Sequence, residues 1–148
     1  MRSLLLTAAL LAGAAVVAYG EDKGKTTDQE KIQGTWAFVS GESDGKPVPA
    51  NKIKDSRVVI GKDSIYVEDG KNKKTWDVSY RLDPSKSPKT ITMQMKEGDF
   101  KDKPSEGIYL LEGDSLKLCY PLPGGARPTG FTTKEGSKTN CFTLKRSK

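Results

Sequence analysis

An all-β fold, an eight-stranded antiparallel up-and-down barrel with a short N-terminal helical turn, is predicted by three observations. Apolar and polar residues alternate with a period of two over eight short stretches, and no stretch carries an amphipathic helix of useful length. The stretches are joined mostly by tight turns rich in Gly, Asp, Asn and Pro. The first of them opens on Gly34-Thr35-Trp36, where glycine lets the chain turn sharply and one large ring is available to plug a barrel end. The same spacing also fits a sandwich. Closure removes both exposed sheet edges, which favours the barrel.

The first twenty residues read as a targeting segment. Arg2 gives a positive start, Leu4 to Ala18 is an apolar run, and Ala18-Tyr19-Gly20 sets small residues at the two positions a signal peptidase reads. The run is short for a transmembrane span. An uncleaved anchor is the alternative reading. Removal of residues 1–20 from the 148-residue chain leaves a secreted or periplasmic protein the size of one domain. Residues 21–29 are assigned to a flexible linker and 30–148 to the barrel. Within the linker, Thr27 and Glu30 fit a capping box that starts a turn of helix before Gly34.

Each strand follows from its pattern. Trp36 and Phe38 face inward from the first, with Ala37 and Val39 facing out. Gly41 to Asp55 is a long connection with the turn signal Asp44-Gly45, stiffened by Pro47 and Pro49; it is either a lid over an open end or a plain surface connection. Arg57 to Ile60 and Ser64 to Glu68 form a hairpin about Gly61-Lys62-Asp63. In Thr75 to Leu82, the clearest strand, Trp76, Val78, Tyr80 and Leu82 share one face. Two prolines make Asp83 to Pro88 a turn. Ile91, Met93 and Met95 define the next strand. Gly107 to Leu111 and Ser115 to Tyr120 flank Glu112-Gly113-Asp114, with Ile108, Leu110, Leu116, Leu118 and Tyr120 assigned inward. Pro121 to Pro128 is a Pro/Gly loop whose far end Phe131 anchors, and Thr139 to Arg146 is the last strand.

The chemistry-bearing residues are few. The chain has no histidine, which removes Ser-His and Cys-His nucleophile pairs and His-ligated zinc. No nucleophile elbow, phosphate loop or calcium-loop spacing is present. Glu97, Asp99 and Asp102 crowd one loop without ligand spacing. The reading is therefore of a non-enzymatic protein without cofactor or metal. A net charge of +6 is spread among acidic residues, and the run Lys71 to Lys74 lacks interleaved aromatics, so nucleic acid is not an expected partner. Neither is stable membrane insertion, and a monomer is expected.

Cys119 and Cys141 are the only cysteines, and in an exported chain they are expected to pair on the outer face of neighbouring strands. Two reduced thiols are the alternative. Arg127, set between Gly124-Gly125 and Pro128, either contacts an anion or ties its loop to backbone carbonyls. Trp36, Phe38, Trp76, Tyr80, Met93 and Tyr120 are the candidate ligand-binding residues of the interior. A filled core explains the same residues equally well. A small apolar ligand is thus one expected partner, and an envelope or exported protein acting on the loops is the other.

Gly34-x-Trp36 at the first strand, with Arg146 closing the last, resembles the signature of lipocalin-like (calycin) barrels. The resemblance implies that Gly34, Trp36 and Arg146 are structural, the arginine packing across the tryptophan at the closed end. Arg146 shares its parity with Phe142 and Leu144, which agrees with an inward guanidinium stacked on an indole. A wider set covers nearly all of the chain after the targeting segment: Ile32 to Trp36, Asp44 to Lys46, Leu82 to Lys89, Gly107 to Tyr109, Leu116 to Cys119, Arg127-Pro128 with Phe131, and Leu144 to Arg146. As a set it is similar to an uncharacterised family of small exported domains of planctomycete bacteria, which implies fold and localisation and no activity. Two positions depart from that pattern: Gly130, where an acidic residue is usual, and Cys141.

Overall fold

The computed structural model describes residues 27–147, so the targeting segment and most of the linker assignment lie outside the described residues. The chain begins with α1 (Asp28–Lys31), capped by the Thr27 side chain, which accepts from the Glu30 amide. Nine strands follow: β1 (Gly34–Ser43), β2 (Lys46–Pro47), β3 (Arg57–Ile60), β4 (Ser64–Glu68), β5 (Lys74–Asp83), β6 (Lys89–Met95), β7 (Ser105–Glu112), β8 (Ser115–Pro121) and β9 (Thr139–Arg146). A second short helix, α2 (Ala50–Ile53), lies between β2 and β3.

Every strand from β3 to β9 pairs antiparallel with its successor, β1 pairs with β3, and β9 returns to β1. Eight strands thus close into a barrel, and β2 is an extra two-residue hairpin partner on the end of β1. Closure runs from Trp36 opposite Arg146 to Ser43 opposite Asn140, with a register shift between Phe38 and Ser40. That bulge carries Val39 outward, where it is exposed, and brings Gly41 into line with Phe142. A Cβ on Gly41 would stand 2.6 Å from the Phe142 ring, so the missing side chain is what lets that ring lie flat across the wall.

Alternation decides what lies inside. Trp36, Ile65, Ile91, Met93, Tyr109, Leu116 and Leu144, with Ile32 from just beyond α1, form one buried cluster. One strand departs from the sequence reading. In β7 it is Tyr109 that enters the core, while Ile108 points outward into a second cluster with Cys119, Cys141 and Phe131. The reason is that the loop after β8 folds back over the outer wall and buries it. Both faces of β7 are therefore apolar there, and the run Ile108-Tyr109-Leu110-Leu111 carries no parity signal.

The same loop covers the cysteines. Cys119 and Cys141 face each other across β8 and β9 and are disulfide-bonded, on the outward side as expected but buried beneath Phe131. Residues 27–29, assigned to the linker, are instead bound to the barrel. Asp28 accepts from the Tyr109 phenol and pairs with Lys89, each at 2.8 Å, and Gln29 donates to the Tyr80 hydroxyl and the Lys62 carbonyl. Among the described residues, no helix is long and apolar enough to cross a membrane.

Candidate functional site: the open half of the lumen

The two ends of the barrel are built differently. At the closed end, the Arg146 guanidinium lies 4.3 Å from the Trp36 ring and donates to the carbonyls of Gln33 and Lys31. The Trp36 indole N–H donates to the Ile32 carbonyl at 2.9 Å. Gly34, at φ +130°, makes room for this packing, since a Cβ there would lie 2.9 Å from Arg146. Tyr80 belongs to the same end: its hydroxyl accepts from Gln29 and donates to the Gly61 carbonyl at 2.6 Å. Trp36 and Tyr80 therefore have their polar atoms satisfied by protein and line no lumen cavity.

The open half is aromatic and only partly buried. Trp76 of β5 stacks on Tyr120 of β8 with centroids 5.8 Å apart, and Tyr120 leans on Phe142, which meets Phe38 edge-on at 5.3 Å. Because β5 and β8 stand nearly opposite in the ring, the Trp76–Tyr120 stack bridges the lumen. A cavity of about 260 Å³ lies on each side of it. One is walled by Phe38, Val58, Val67, Leu118 and Phe142; the other, towards the mouth, by Val78, Met93, Met95, Phe100 and Leu122. Four of the six sequence candidates, Phe38, Trp76, Met93 and Tyr120, thus come together here.

Polar groups are sparse in this space. The Tyr120 hydroxyl has no hydrogen-bond partner among the described residues, and burial pushes its phenol up to about 12. Tyr120 lines both cavities, so its phenol is a proton donor in a largely apolar space. Ser105 also faces the mouth cavity, but its hydroxyl is committed to the Pro121 carbonyl at 2.8 Å.

The loops around the mouth are tied together rather than laid across it. The β1–β2 tip is clasped by the long β8–β9 connection: Thr133 donates to the Glu42 carboxylate through both hydroxyl and amide, and accepts from the Gly45 amide. The Asp44 carboxylate accepts from the Lys138 amide. No residue of the lid candidate Gly41 to Asp55 lines either lumen cavity. Arg127 sits outside the barrel and donates to the carbonyls of Gly107 and Ile91, at 2.6 and 3.3 Å, stapling its loop across the β6–β7 seam.

Among the described residues, no group of three or more Cys, Asp or Glu side chains is arranged to hold a metal ion. The geometry defines a closed antiparallel β-barrel with an aromatic upper lumen. No protein-family model matches the chain, and no curated protein matches it significantly.

Proposed function

We propose that this protein is an exported, non-enzymatic member of the lipocalin-like group and that it binds a small, largely apolar molecule in the upper lumen. The observation that carries the reading is Tyr120, whose ring packs on Trp76 and Phe142 beside two adjoining cavities and whose hydroxyl has no partner among the described residues. A ligand with an apolar body and one hydrogen-bond acceptor satisfies both the walls and the phenol. The disulfide points to an oxidising compartment and supports export. The likeness to the planctomycete domains adds the same localisation.

Native mass spectrometry of the purified protein, before and after denaturing extraction, together with tryptophan quenching by a panel of small phenols, ketones and fatty acids, tests it. A retained mass, or saturable quenching lost in Trp76→Phe, is expected. A ligand-free mass with no quenching by any member of the panel overturns it. Tyr120→Phe removes one hydrogen bond, worth about 1 kcal/mol, and is expected to weaken an acceptor-bearing ligand several-fold while leaving the fold intact.

A second reading, a protein partner gripping the rim, is favoured by Phe100 and Leu122, which are about half exposed on neighbouring loops. Capture of a partner from exported proteins that survives Phe100→Ser with Leu122→Ser overturns that version.

A further inference from the structure

A cleft larger than either lumen cavity lies outside the barrel. It lies on the outer face of β5, β6 and β7, roofed by the segment Arg127 to Thr129, and encloses about 940 Å³. Its floor is apolar, formed by Leu82, Pro88, Ile108 and Pro128. Its walls carry four hydroxyls, from Ser87, Thr90, Thr92 and Thr129, and three cations, from Arg81, Lys86 and Arg127.

Most of these polar groups are free of protein partners among the described residues. None of the four hydroxyls makes a side-chain hydrogen bond among the described residues, and neither Arg81 nor Lys86 has an ion pair there. Arg127 spends one nitrogen on backbone carbonyls, and its other terminal nitrogen stands 4.0 Å from Glu106. Two carboxylates offset part of this charge: Asp83 lines the cleft, one of its oxygens accepting from the Ser85 hydroxyl and amide, which with the nearby Lys86 and Arg127 hold it below the usual carboxylate range, and Glu106 lies beside Arg127. The cleft therefore keeps a surplus of positive charge over an apolar floor.

We infer that this cleft binds an acidic sugar, a hydroxylated ring bearing a carboxylate. Guanidinium and ammonium groups lining one cleft suit a carboxylate. The free hydroxyls match ring hydroxyls, and the partly exposed Pro88 and Pro128 offer an apolar surface to the C–H face of the ring. The volume is at the upper end of the range for small-ligand sites. The site is separate from the lumen and does not depend on what the lumen holds.

The test is a two-dimensional NMR titration of the disulfide-bonded protein with a uronic-acid disaccharide, its neutral counterpart and inorganic phosphate. Saturable shifts confined to residues 81–92 and 127–129 are expected with the acidic disaccharide. Binding at least tenfold weaker is expected for the neutral sugar and for phosphate, and for Arg81→Gln with Lys86→Gln. Those two side chains are exposed and unpaired, so an unchanged melting curve separates lost binding from lost fold. Equal binding of the neutral sugar, equal binding of phosphate, shifts outside the cleft, no saturable shift, or full affinity in the double variant each overturns the proposal.

Discussion

Glycine at position 41 shows how one residue shapes the candidate site. It faces inward after the β1 bulge, directly under the Phe142 ring, with the Val48 side chain also within 3.3 Å of where a Cβ would stand. The ring is the far end of a rotatable side chain, so it yields by turning into the lumen. Gly41→Ala is therefore expected to cost about 1–2 kcal/mol in urea unfolding and to weaken any lumen ligand by displacing Phe142. Gly107 is the harsher counterpart, because a Cβ there would stand 2.5 Å from the Cys119 carbonyl, which is backbone and cannot turn aside. Gly107→Ala is expected to cost more than Gly41→Ala in the same measurement. The sequence reading sets Gly107 at the start of a strand but Gly41 at the start of a connection, whereas β1 runs on to Ser43; it does not say which way either faces.

At the scale of elements, the long connection from Leu122 to Lys138 is the least legible part of the sequence and the most consequential. It runs back over the outer wall, anchored by Arg127 on the β6–β7 seam and by Phe131 on the disulfide. It thereby makes an apolar outer layer of Ile108, Cys119 and Cys141. The disulfide joins β8 and β9 across 22 positions. Its removal in Cys119→Ala with Cys141→Ala is expected to lower unfolding free energy by about 3 kcal/mol, from freed chain entropy together with the loss of packing under Phe131. A loss below about 1 kcal/mol in guanidinium unfolding counts against that account. The β1–β2 tip illustrates the same point. Its turn signal is plain in Asp44-Gly45, yet what it docks on, Thr133 and Lys138, is ninety residues away along the chain.

For the whole molecule, closure and charge set stability. Arg146 joins the last strand to the first turn of the chain through Gln33, Lys31 and the Trp36 face, and its Nε lies 3.3 Å from Asp114. Arg146→Met keeps the apolar stem and loses those contacts, leaving the Gln33 and Lys31 carbonyls unpaired. A loss of about 2–3 kcal/mol is expected by chemical denaturation. The pH profile follows from the titrating groups. Burial alone raises Asp28 and Asp77, but hydrogen bonds from Lys89 and Tyr109 to the first, and the neighbouring Lys96 and Lys74 for the second, more than offset it and leave both low. Glu42 is lowered by the Thr133 hydroxyl and amide. Carboxyls lowered in the folded state contribute stability that is present above their unfolded values near 4 and lost as pH falls through the folded ones. Tyr80, Tyr109 and Tyr120 are raised chiefly by burial, so their contribution is complete below about 10 and lost above it. Melting temperature is expected to be flat from about pH 5 to 9 and to fall on both sides. A maximum inside that plateau contradicts the assignment.

The sequence by itself determined most of the strands and their inward faces, and the β1–β9 pairing decided that they close into a barrel. Alternation in β1, β5, β6, β8 and β9 assigns Trp36, Trp76, Met93, Tyr120 and Leu144 to the inside because a strand buried on one face records that face every second residue. It also marked Arg146 as inward, since parity within β9 is unambiguous. Tertiary structure decided which interior residues are filled core and which line space. Trp36 and Tyr80 look like Trp76 and Tyr120 in one dimension, and only α1 and the Gly61 turn, folding over one end, satisfy the first pair and leave the Tyr120 phenol unmet. It also decided the direction of β7 and the outer cleft. Both depend on a loop lying against a wall far from it in sequence, and a periodicity of two cannot register a cover supplied from elsewhere in the chain.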